Sequence, residues 1–92
     1  MTTVLRDEIR SARKTYRCDA YAHWLECGMR DEDCTTNEQR LILSAAQADN
    51  GRILRGQKYR CVTAIQDGDL VTWRERVGMG SLCLAHDLYD NV

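Results

Sequence analysis

The sequence predicts a small α+β domain, and three observations predict it. Asp67-Gly68 separates two runs rich in β-branched and aromatic residues, the signal of a two-residue hairpin. Thr35 and Thr36 are followed three residues later by Glu38 and Gln39, ahead of an apolar run. That is the capping-box pattern of a helix start. Apolar residues also recur at helical spacing near both ends of the chain. The 92 residues contain no repeat, low-complexity tract or linker, so residues 1–92 read as a single domain.

Taken in order, residues 3–17 predict an amphipathic helix. Leu5, Ile9, Ala12 and Tyr16 form its apolar stripe, and Arg6, Arg10, Arg13 and Arg17 form a basic row beside it. Residues 19–27 predict a second helix, with Asp19 as N-cap and Gly28 as its stop. The polar stretch 29–36 reads as a loop. A third helix is expected over 37–49, burying Leu41, Ile42, Ala45 and Ala48 and ending at Asn50-Gly51. Residues 58–65 and 70–77 form the hairpin. With Asp67-Gly68 at its turn, Ile65 opposes Leu70, Val62 opposes Trp73, and Arg60 opposes Glu75 as an ion pair. Gly78 and Gly80 mark turns, and residues 81–89 predict a short last helix capped by Ser81. The expected architecture is N-terminal helices, a β-hairpin and a short C-terminal helix.

The net charge of −1 hides a segregation. Residues 1–30 carry a net +2, residues 31–50 a net −4, residues 51–80 a net +3 and residues 81–92 a net −2. A general DNA-binding module would be more basic and a DNA mimic far more acidic. The mixture suits a surface that itself mixes protein and nucleic acid. No apolar run approaches the roughly 20 residues a membrane span needs. The five cysteines, with no basic-then-apolar leader ahead of them, read as reduced thiols in a cytosolic compartment.

The basic row Arg6, Arg10, Arg13 and Arg17, with Lys14 on its far side, has two readings. It is either a solvated face balanced by Asp7 and Glu8, or a docking surface for phosphates or carboxylates. Arg52 and Arg55, with Lys58, Arg60, Arg74 and Arg76, make a second cluster; Asp31, Glu32 and Asp33 make the acidic counterpart. Tyr59, Trp73 and Trp24 stand near this charge in sequence, and arginine beside aromatic rings suits protein hot spots and RNA backbones alike. The candidate metal ligands are Cys18, His23, Cys83 and His86. No Cys-x-x-Cys pair is present, so zinc and simple packing both stand as readings of these four. No nucleophile elbow, Gly-rich phosphate loop or informatively spaced carboxylate pair occurs, so binding rather than catalysis is expected.

Three stretches also carry a resemblance: Ala12-Arg13-Lys14-Thr15-Tyr16-Arg17-Cys18-Asp19 and on through Leu25, Ile53-Leu54-Arg55-Gly56-Gln57-Lys58-Tyr59, and the tail from Cys83 through His86 to Asp90. Together they resemble small phage and prophage proteins with a zinc-ribbon-like pattern. The first ligand pair of that pattern would fall on Cys18 and Tyr21, and the last on Gly80 and Cys83, so half of its ligands are missing. The resemblance therefore implies that packing has replaced the metal, with His86 available as one substitute ligand. In size and charge the chain also looks like type I-F anti-CRISPR proteins. That likeness implies a stoichiometric inhibitor in the host cytoplasm, binding the Cas subunits of a multi-subunit, guide-RNA-containing surveillance complex, either alone or together with the guide RNA backbone. It would block target hybridisation or the accompanying conformational change. The alternative is a zinc-stapled module that binds nucleic acid directly.

Overall fold

The computed structural model describes residues 2–86 and residue 88. In chain order the elements are β1 (Thr2–Ser11), β2 (Tyr16–Arg17), α1 (Asp19–Glu26), a 3-10 turn (Asp31–Asp33), α2 (Asn37–Ala48), β3 (Arg52–Ile53), β4 (Lys58–Gln66), β5 (Asp69–Arg76) and α3 (Met79–Ala85). β1, β4 and β5 make an antiparallel sheet in that spatial order, and β2 pairs with β3 in a second, two-stranded one. The class is α+β, as the sequence predicts.

The hairpin has the expected register: Ile65 faces Leu70, Ala64 faces Val71, Val62 faces Trp73 and Arg60 faces Glu75. Asp67 and Gly68 both take positive φ (52° and 86°), which a two-residue turn needs to match the strand twist. The Arg60–Glu75 ion pair forms at 3.8 Å, and Arg60 makes a bidentate pair with Asp7 of β1, at 2.8 and 2.6 Å.

The helix expected over residues 3–17 does not form. That stretch is β1, a tight turn and β2. Two facts explain the difference. Thr3, Val4 and Ile9 are β-branched and favour a strand once a partner ladder is present. A spacing of four is also even, so Arg6 and Arg10 share one face of a strand as readily as one face of a helix. The four-arginine row is therefore broken. Arg6 and Arg10 flank Glu8 on one strand face, Arg13 lies in the turn, and Arg17 lies on β2. Leu5, the extra residue of a bulge between Val4 and Arg6, and Ile9 are both exposed rather than core.

α1 falls where expected, but Cys18 caps it, its sulfur accepting from the Tyr21 N–H; Asp19 is the first helical residue. The Asp19 carboxylate instead accepts from the Arg74 backbone N–H at 2.9 Å. α2 is capped by Thr36 as expected, and Asn50 (φ 56°) and Gly51 (φ 71°) turn the chain at its end. A side chain at Gly51 would run into the Tyr21 ring. The face of α2 is rotated from expectation: Leu43 and Ala46 are buried and Ile42 half-buried, whereas Leu41 is 71% exposed. α2 packs against α3, with Ile42 set against Gly78, so the residues turned toward α3 rather than Leu41 are the covered ones. α3 begins two residues before the predicted start. Gly78, with φ 90°, precedes it and Gly80 lies inside it, so Ser81 is not its cap. Residues 87 and 89 of the predicted last helix lie outside the described residues.

The largest fully buried side chains are Trp24, Leu43, Ile53, Met79 and Leu82, packed with Cys18 and Cys83. They gather where α1, α2 and α3 meet the β5 side of the sheet. Arg76 ties this region together. Its guanidinium donates to Asp49 at 2.7 Å, to the Arg52 carbonyl at 2.8 Å and to Gln57 at 3.2 Å. The C-terminal half of the outer edge of β5 is capped at the start of α1: the N–H groups of Arg74 and Arg76 donate to Asp19 and to the Cys18 sulfur.

Candidate anion-binding groove

The register of β1 on β4 places Arg10 opposite Tyr59, and that of β4 on β5 places Cys61 opposite Arg74. Alternation then puts Arg10, Tyr59 and Arg74 on one sheet face. The turn after β1 folds back over that face and delivers Arg13 and, from β2, Tyr16. Together with Ser11 and Ala12 these residues line an open cavity of about 400 Å³.

Its floor is aromatic. Tyr59 is buried, and its ring centre lies 5.5 Å from that of half-buried Tyr16. The Arg74 guanidinium sits 4.4 Å from the Tyr16 ring centre, and Lys14 approaches the same ring at 5.6 Å. Arg74 is thus held as a flat cation on an aromatic face, an arrangement worth about 0.5–2 kcal/mol. Its Nε is buried and has no hydrogen-bond partner among the described residues. Arg10 meets Glu8 at 3.6 Å, which leaves much of its exposed fork open to solvent. Three guanidinium groups beside two phenol rings can take an anion by bidentate hydrogen bonds, and the Arg74 guanidinium, backed by Tyr16, can stack a planar group.

Of the residues singled out from the sequence, Arg10, Arg13, Tyr59 and Arg74 line this groove, and Lys14 reaches its Tyr16 ring. The others do not. Arg6 is exposed and 3.9 Å from Glu8, and Arg17 pairs with Asp19 at 3.2 Å. Arg52 and Arg55 are exposed on β3 and the turn after it. The acidic trio forms the 3-10 turn instead. Asp31 accepts from Gln47 at 2.6 Å, Glu32 lies 3.7 Å from Arg30, and Asp33 accepts the Arg30 N–H at 2.7 Å. Asp31 and Glu32 line a separate cavity of about 330 Å³ with Arg40 and Ser44. The sequence groups Arg74 with Arg52 and Arg55, whereas the fold joins it to Arg10 and Arg13. The hairpin register carried half of that signal; the missing half was the strand character of β1.

The four candidate metal ligands make separate contacts. Cys18 caps α1, and Cys83 reaches the Ala20 carbonyl at 3.4 Å. His23 donates from Nε2 to the Leu88 carbonyl at 2.7 Å, while His86 lies edge-on to Trp24 and 3.1 Å from Gln39. Among the described residues no three His, Cys, Asp or Glu side chains are grouped to hold a metal ion. Burial pushes the thiols of Cys18 and Cys34 up, away from nucleophilic ionisation.

No family model matches the chain, and neither a curated protein nor a solved structure resembles it significantly.

Proposed function

We propose that the protein is a stoichiometric binding protein whose groove takes the phosphate backbone of an RNA strand, with a base stacked on the Arg74 guanidinium that Tyr16 backs. The observation that carries this reading is the Arg74–Tyr16 stack. It is a pre-oriented cation on an aromatic floor, with Arg10 and Arg13 at the rim. Such a site is sequence-tolerant, because every base has a π-face and every nucleotide a phosphate. Within the resemblance described above, the strand would be the guide RNA of a surveillance complex, and occupation of its backbone would hinder target pairing. A tagged chain drawn through the lysate of a CRISPR-bearing host tests this. Recovery of an RNA-containing complex that ribonuclease releases supports the proposal. Recovery of protein partners alone, unaffected by ribonuclease, contradicts it.

A further inference from the structure

The two long edges of the sheet differ. That of β5 is capped at Arg74 and Arg76 by Asp19 and Cys18, whereas β1 is a ten-residue edge strand with Ile9 59% exposed. The two-residue turn fixes which backbone groups point outward. Gln66 and Asp69 flank it and bond each other, so alternate β4 residues (Tyr59, Cys61, Thr63) turn their N–H and C=O toward β1. The far edge confirms this parity, since Arg74 and Arg76 of β5 direct their N–H groups away from β4. On β1, then, Arg6, Glu8 and Arg10 bond β4, and Asp7, Ile9 and Ser11 present their backbone groups outward.

We propose that a second copy of this chain adds to β1 in antiparallel fashion about a two-fold axis at Ile9. The sequence of β1 is complementary to itself in that register. Ile9 meets Ile9 of the copy, Asp7 meets Ser11, and Glu8 meets Arg10 twice, in the closely spaced non-bonded positions where charge pairs count most. The alternative axis at Glu8 would set Glu8 against Glu8 and Arg6 against Arg10. An axis at Asp7 would draw the Leu5 bulge into the seam. The Ile9 register avoids both and yields about six new backbone hydrogen bonds. A two-fold axis normal to the sheet keeps both copies' like faces on the same side. If the groove is the RNA site, the two grooves then open together, their Arg10 Cα atoms roughly 8 Å apart.

Sedimentation equilibrium of the intact chain without nucleic acid tests the dimer independently of the groove. Twice the chain mass is expected at tens of micromolar. Glu8→Arg alone and Arg10→Glu alone should each give monomers, and the double reversal should restore the dimer. Ile9→Pro, which removes an outward N–H and no ladder bond, should give a folded monomer by circular dichroism. A monomeric wild type overturns the proposal. So does a dimer that survives either single reversal, or a double reversal that stays monomeric.

Discussion

Glu75 fills the space that a Cβ on Gly80 would need: built there, that carbon would fall on the carboxylate oxygen Oε2. The carboxylate is buried, accepts the Trp73 indole N–H at 2.8 Å and lies at the first turn of α3. Gly80 is therefore a contact residue rather than a turn. Alanine in a helix interior ordinarily gains up to about 1 kcal/mol over glycine. Here Gly80→Ala should instead destabilise by about 1–3 kcal/mol, as overpacking does. Urea denaturation reads the sign, and a Glu75→Ala/Gly80→Ala double variant should recover part of the loss.

Glu75 also gives the fold a pH signature. Burial pushes its carboxyl up from the ordinary value of 4.5, against the opposing pulls of the Trp73 N–H, Arg60 and the Gly80 N–H. A group whose folded pKa is raised contributes stability that is present below its unfolded value and lost as pH rises through the folded one. Wild type should thus lose stability relative to Glu75→Gln as pH rises through the mildly acidic range. Chemical denaturation across that range checks it; parallel curves would contradict the assignment.

Asp49 has the opposite sign. Hydrogen bonds from Gln57 and Arg76 hold its carboxyl below the ordinary 3.8, so its stabilisation is present above that value and lost as pH falls through the depressed one. Arg76→Met should move the Asp49 pKa back up, as read by carbon-detected NMR titration, and should lower the melting temperature.

The rotation of α2 makes a paired prediction. Leu43→Ala, at a site 2% exposed, should cost about 2–5 kcal/mol. Leu41→Ala, at a site 71% exposed, should change stability by about 0.5 kcal/mol or less. Equal effects would restore the face expected from the sequence.

These contrasts show what the sequence carried. The hairpin was legible to the residue because its register follows from Asp67-Gly68 and local alternation alone. The ends of α2 were legible because Thr36 and Asn50-Gly51 act on their own neighbours. Residues 3–17 were not. Their strand is decided by pairing with β4, some fifty residues on, and neither β1 face is buried enough to print an alternating pattern. With that strand misread, Arg10 and Arg74 could not be placed together, and the groove stayed invisible. Gly80 was misread for a related reason: its need for a missing side chain comes from Glu75 on another element.

The groove itself is tested most directly by titrating a labelled single-stranded RNA oligonucleotide with the protein at several salt concentrations. Three guanidinium contacts predict a log–log slope of about −2, from about −0.7 per phosphate neutralised on a single strand. Arg74→Met should weaken binding about tenfold and flatten the slope by about one contact, while Arg6→Ala should leave both nearly unchanged. Binding that ignores salt, or that Arg74→Met leaves intact, would contradict the account.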